Sequence, residues 1–273
     1  MRDPTPPTIR LADYTPPGFL VDTVALDIDL REDHARVTAR LALRRNPAAA
    51  AGPLVLDGDE LTLVSAAIDG RALEACDYAL DEAHLTIPDV PATFTLETTC
   101  RIEPDRNTRL MGLYRSRDGY FTQCEAEGFR RITFFPDRPD VMARYTTTLH
   151  ADKAALPCLL SNGNLVAHGD EAGGRHWARW EDPFPKPCYL FAMVAGKLDR
   201  LADTLTTRSG RNVRLEIYVE PGRLAEAHHA MAALTQSMRW DEETFGLELD
   251  LDQYMIVAVG DFNMGAMENK GLN

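Results

Sequence analysis

The 273-residue sequence is poor in long apolar runs, in paired cysteines and in basic charge. Its longest apolar run, Cys188 to Gly196, falls far short of the roughly 20 residues that a membrane-spanning helix needs. The start, Met1-Arg2-Asp3-Pro4-Thr5-Pro6-Pro7, has no apolar core and no cleavage signal, so it does not read as a secretory peptide. The five cysteines, Cys76, Cys100, Cys124, Cys158 and Cys188, are odd in number, widely spaced and without a Cys-x-x-Cys pair. Neither a disulfide framework nor a cysteine zinc site follows. Reduced, mostly buried thiols in a cytoplasmic protein are the expectation. A net charge of −13 is the opposite of the basic surface that a nucleic-acid binder presents. Neither nucleic acid nor membrane is an expected partner. None of the seven histidines forms a His-x-x-x-His pair. The adjacent His228-His229 would point about 100° apart on a helix and chelate poorly. No metal site is expected inside this chain.

What is present suits a packed, mainly β protein, with 45% hydrophobic and 26% charged residues. Residues 1–18 hold five prolines and read as an extended surface arm. Strand signals follow. Phe19 to Leu30 alternates apolar and acidic residues over its second half, and Val37 to Arg44 alternates too, the period of a half-buried antiparallel strand. Shorter strands are expected at 54–56, 61–68, 83–87, 93–102, 143–151, 159–160, 175–180 and 188–194. Turns are expected at Asp57-Gly58-Asp59, Asp69-Gly70-Arg71 and Asn162-Gly163. Residues 182–187 read as rigid and extended. The fold class is an N-terminal antiparallel β-sandwich or saddle over 1–197, with a boundary near Gly196-Lys197. A second sheet, with strands at 198–206 and 213–219, then carries the clearest helix, 223–245. Its expected face is Leu224, His228, Met231, Leu234, Met238 and Phe245, and Gly246 ends it.

Two stretches carry candidate chemistry. Tyr254 to Val259 reads as a buried strand and delivers Met264-Gly265-Ala266-Met267-Glu268-Asn269. Small residues beside a strand permit close backbone approach, so a peptide can add to such an edge and meet the carboxylate of Glu268. A plain surface turn is the competing explanation. Earlier, Thr122-Gln123-Cys124-Glu125-Ala126-Glu127, read as a strand, puts Gln123, Glu125 and Glu127 on one face and Cys124 toward the core. An ordinary solvated face has the same pattern. Arg130 and Arg131 read as structural ion-pair formers, and Trp177 and Trp180 as core and rim aromatics.

Gly265-Ala266-Met267-Glu268-Asn269 resembles the exopeptidase signature of the M1 (gluzincin) zinc aminopeptidases. Thr122 to Glu127 and Phe129 to Asp140 resemble the same family, and the likeness extends over essentially the whole chain. The resemblance implies that Gln123 and Glu125 help bind the amine of a peptide N-terminus. It implies a substrate-binding role for Met264, Gly265, Ala266, Met267, Glu268 and Asn269, with Met264 cushioning the first side chain; an ordinary core Met is the competing role. It implies that residues 198–273 begin a thermolysin-like catalytic domain. In the family the zinc motif lies a few tens of residues further on, so Zn2+ belongs to the full-length enzyme and none is expected on this chain. The metal, the glutamate that activates water and the oxyanion tyrosine are then missing, and no catalytic residue lies within the chain. The fragment alone is expected to be inactive, and apolar surface around Met255 to Met264 is expected to be uncovered and to support self-association. The alternatives are a non-catalytic scaffold of this fold, which tends to lose the Glu268 carboxylate, and a leukotriene-A4-hydrolase-like enzyme, which usually has Gly at the position of Ala266.

Overall fold

The computed structural model describes residues 10–260, 262 and 264–273. In chain order its strands are β1 (Phe19–Leu30), β2 (Ala35–Arg45), β3 (Leu54–Asp57), β4 (Thr62–Ile68), β5 (Arg71–Ala72), β6 (Ala79–Leu80), β7 (His84–Ile87), β8 (Thr93–Ile102) and β9 (Gly112–Ser116). Then come β10 (Gly119–Gln123), β11 (Met142–Asp152), β12 (Cys158–Ser161), β13 (Asn164–Glu171), β14 (Arg175–Pro187) and β15 (Met193–Gly196). The last are β16 (Asp199–Thr206), β17 (Asn212–Val219), the helix α1 (Ala227–Thr244) and β18 (Gln253–Ala258). A mainly β chain is what the alternating patterns predict.

An eight-stranded sheet, ordered β13-β14-β11-β1-β2-β8-β4-β5, forms the body. In β1 the buried positions change phase. Phe19 and Val21 are buried, Asp22 and Thr23 are both exposed, then Val24, Leu26, Ile28 and Leu30 are buried. The register against β2 shifts between Val21 and Thr23, a bulge that moves the apolar set back onto the core face. The sheet departs from the all-antiparallel expectation at one pair, because β1 and β11 run parallel from Thr23↔Arg144 to Asp29↔His150. Such a pairing needs a long crossover, here the whole of residues 31–141.

Two smaller sheets, β3-β7-β6 and β12-β15-β10-β9, pack their side chains into the same apolar core. Where they meet, Phe129 stacks edge-on against Phe135 at 5.0 Å and Phe191 at 5.3 Å. Cys188–Leu190 is a 3-10 turn rather than the start of a strand, and the strand proper begins at Met193. The rigid stretch 182–187 is the end of β14.

The remaining sheet, β16-β17-β18, is a hairpin with β18 added parallel to β17. One face meets α1, and Leu215, Ile217, Val219, Ala227 and Met231 are buried between them. The helix falls where its 3.6-residue period places it, and Leu224, Met231, Leu234 and Met238 of the expected face pack against the sheet, whereas His228 and Phe245 do not. His228 is exposed and Phe245 is 60% exposed, while Ala227 and Met231 are buried. The first turn is 3-10 (Leu224–Glu226), and Gly246 at φ +67° ends the run. The other face of the sheet presses on the body: Tyr218, Met255 and Leu272 belong to the core of the eight-stranded unit. The surface expected to be bare around Met255 is therefore covered. Met255 N donates to Gly271 O at 3.0 Å, Asn273 N to Met255 O at 2.9 Å, and Val257 N to Asn273 O at 2.8 Å. Further along the stretch the expected exposure holds in part: Ile256, Val257 and Val259 are half-buried, and Ala258 and Met264 are exposed. Among the described residues no helix is long and apolar enough to cross a membrane.

Candidate active site

Gln123 is the last residue of β10, a central strand of its sheet. Thr122 fixes that strand end: Met193 N donates to its Oγ1 at 2.9 Å, and the hydroxyl donates to Met193 O at 3.3 Å. Beyond Gln123 the chain leaves the sheet. Gly128 N donates to Cys124 O at 2.8 Å and closes a turn, and a 3-10 turn follows at Phe129–Arg131. A Cβ on Gly128 would lie 2.4 Å from Gln123 O and 2.8 Å from Cys124 Cα, so only glycine lets the chain double back so tightly. Gln123, Glu125 and Glu127 therefore do not share a strand face. The alternation in this stretch imitates a strand, but the turn overrides it. Cys124 is buried, as expected.

The turn is braced from behind by buried polar groups. Asp137, 4% exposed, accepts from Arg130 N and Nε at 3.0 Å each and from the Cys188 thiol at 2.9 Å. Arg131 pairs with Asp59 and Glu60, so both arginines are engaged structurally. Lys186, 2% exposed, places Nζ 3.1 Å from Asp182 Oδ2 and 3.7 Å over the Tyr145 ring. Burial pulls the Lys186 ammonium down to about 8, against the opposing pull of Asp182. Burial pushes the Cys124 and Cys188 thiols up, with the negative charge of Asp137 adding to it.

The signature stretch reaches the same place from the other sheet. Gln123 Nε2 donates to Glu125 O at 3.3 Å and to Met267 Sδ at 3.6 Å. Gln123 Oε1 is buried and has no partner among the described residues. Glu125 is half-buried and Glu268 is exposed. Met264, Gly265, Ala266, Met267 and Asn269 line a cavity of about 520 Å³ together with Thr122 and Val194. Gln123, Glu125 and Glu268 are not part of that wall. Asn269, 7% exposed, has an Oδ1 with no partner among the described residues. The structure thus brings Gln123 and Met267 together and with them the segments bearing Glu125 and Glu268.

Asn162 was legible only as a turn residue, yet it ties the signature down. Its Nδ2 donates to Leu190 O and Lys270 O at 3.0 Å each, and its Oδ1 accepts from Ala192 N at 2.7 Å. Among the described residues no three His, Cys, Asp or Glu side chains converge to hold a metal ion. What the site offers chemically is acceptors: an unpartnered amide oxygen, and carboxylates carried by two segments that touch.

The family of this β body and sheet-plus-helix unit is shown by sequence: the chain belongs to the M1 peptidase family. Residues 19–190 match the Peptidase M1 N-terminal domain, and residues 229–273 match the Peptidase family M1 domain. The chain is 55% identical over all 273 of its residues to an aminopeptidase N of Caulobacter vibrioides, covering 31% of that protein. It is 55% identical over 261 residues to the Escherichia coli aminopeptidase N, covering 96% of this chain and 30% of that one. The chain thus spans about three-tenths of the length of these curated relatives. Among solved structures it resembles a Legionella pneumophila aminopeptidase A in complex with aspartic acid, with TM-score 0.93 and 39% identity over 97% of this chain and 31% of that one. A Deinococcus radiodurans M1 zinc metallopeptidase bound to a Tyr-Ser-Ala substrate shares the fold at TM-score 0.77 and 17% identity, over 93% of this chain and 60% of that one.

Proposed function

We propose that this chain is the part of a zinc-dependent aminopeptidase that grips the free N-terminus of a peptide and so selects the first residue for release. The observation that carries the reading is the Gln123–Met267 contact, which joins the Glu125 segment to the Glu268 segment. An α-amine has a pKa near 8 and is largely cationic at neutral pH. Two carboxylates and one amide oxygen match its three N–H donors, and charge-assisted bonds of this kind contribute about 1.5–3 kcal/mol each. On this reading Met264 to Asn269 form the wall along which the peptide's first residues lie. Zinc, named for the Deinococcus relative, would be held by residues of the longer polypeptide and would supply the Lewis acid and the activated water.

The division into residues 1–197 and 198–273 belongs to the same reading. It is supported by a separate apolar cluster between α1 and its sheet, drawn wholly from residues beyond 197, although Tyr218, Met255 and Leu272 join the core of the body. A cytoplasmic location is supported by five thiols that are free of disulfides.

The test is kinetic. In the complete enzyme, Glu125→Gln and Glu268→Gln should each lower kcat/KM on an aminoacyl dye by about a hundredfold, the scale expected when a substrate is mispositioned. Both variants matching the parent would sink the reading. The isolated chain should release no dye with or without added zinc, and zinc-dependent turnover by it would refute that part.

A further inference from the structure

We propose that Met267 is a positioning residue that sets which way round the Gln123 amide lies, so that Oε1 rather than Nε2 is presented to the peptide amine. This rests on the amine-gripping reading above. The two ends of a glutamine amide are nearly equal in size, so packing alone does not choose between them. Hydrogen bonding does. The neighbours of Nε2 are Glu125 O at 3.3 Å and Met267 Sδ at 3.6 Å. A carbonyl oxygen and a thioether sulfur are acceptors with no hydrogen to give. Turned over, the amide would set its oxygen against both of them and aim its N–H groups at a cationic ammonium. Gln123 is 1% exposed and Met267 3% exposed, so bulk water does not compensate the inverted state. The carbonyl contact alone is longer than a typical N–H···O bond, and the sulfur supplies the second vote. The remaining end, Oε1, is buried with no partner among the described residues, an acceptor that a donor brought in on binding would satisfy.

The test is a double-mutant cycle in the complete enzyme, with Met267→Leu, Gln123→Glu and the pair. Leucine keeps most of the volume of methionine but cannot accept a hydrogen bond. Against Gln123, Met267→Leu should raise KM for free-amine substrates about tenfold, the scale of one lost hydrogen bond, with kcat little changed. A carboxylate has two equivalent oxygens and needs no orienting, so in the Gln123→Glu background the same substitution should cost nothing or help. An equal cost in both backgrounds would mean that Met267 only packs, and would overturn the proposal. A second readout does not need activity. In the 273-residue chain the Gln123 side-chain amide protons should exchange slowly by NMR, and Met267→Leu should speed that exchange while the backbone amides of β10 stay protected. Unchanged side-chain exchange in Met267→Leu would also overturn the proposal. If the complete protein cleaves no aminoacyl dye, the amine-gripping reading fails, and the NMR result still decides the orientation of the amide.

Discussion

Asn162 donates its side-chain amide to the backbone carbonyl of Lys270, 108 positions away, at 3.0 Å. The same side chain holds Leu190 O and Ala192 N, so one 3%-exposed residue joins the body to the end of the signature. Asn162→Ala strands two part-buried carbonyls and one buried N–H. With about 1–3 kcal/mol for each group left unsatisfied and some recovery by relaxation, a loss of about 2–4 kcal/mol is expected in a denaturant titration. Hydrogen exchange should quicken over residues 264–273 in particular. Stability loss with unchanged exchange in that segment would show that the clamp does not order the signature.

Local patterns read true where burial is one-sided. β1, β2 and β8 each bury one face, so their alternation is visible in sequence, and α1 shows its helical period. The signature and the Gln123 stretch were legible as motifs. Their meeting was not, because it depends on a contact between residues 123 and 267 that no local pattern encodes. Glu125 was misplaced on a strand because the turn is dictated by the crowding around Gly128, which lies beyond the alternating residues. The parallel partnership of β1 with β11 was invisible for a similar reason, since pairing at long range follows from topology. Cys188 to Leu190 misled because a wholly apolar run fits a buried turn as well as a buried strand.

Lys186 makes stability depend on pH in an unusual direction. Its ammonium titrates near 8 when folded and near 10.5 in a solvated chain. Between those values the unfolded state binds more protons, so the contribution of this group rises as pH climbs from about 8 to about 10.5 and is flat below. Comparing pH 7.5 with 9.5, the parent should gain on the order of 1–2 kcal/mol relative to a Lys186→Met/Asp182→Asn double variant. Lys186→Met alone leaves Asp182 buried without its cation and should cost about 3–5 kcal/mol. Parallel pH profiles for the parent and the double variant would remove Lys186 as the source.

His150 acts in the opposite sense. Its Nε2 lies 3.2 Å from Asp27 and its Nδ1 2.7 Å from Glu171, bridging β11 to β1 and β13. The Asp27 hydrogen bond above all holds its pKa above the ordinary value of 6.5. A group raised on folding stabilises fully below its unfolded pKa and loses that contribution as pH rises through the folded one. His150→Asn should therefore be less stable than the parent at pH 5.5, by on the order of 1 kcal/mol, and the gap should close by pH 8.5. Urea midpoints at the two pH values measure this. A constant gap would assign the residue to packing alone.

Gly128 tests whether the turn after β10 positions the site or merely follows it. An alanine methyl there meets backbone atoms, Gln123 O and Cys124 Cα, which cannot swing aside as a side chain can. Gly128→Ala should cost about 1–3 kcal/mol of stability as the turn is pushed off the strand end. Glu125 lies within that turn and Gln123 at its root, so KM for free-amine substrates in the complete enzyme should rise as well. Gly265→Ala is the matched control for folding, because a Cβ there has nothing within 4 Å among the described residues. It should leave the denaturation midpoint unchanged, yet raise KM if a peptide backbone passes close to residue 265. A Gly128→Ala enzyme with reduced stability but unaltered KM would separate the turn from substrate binding. In that case Glu125 would have to be placed by Asp137 and the aromatic cluster around Phe129 instead.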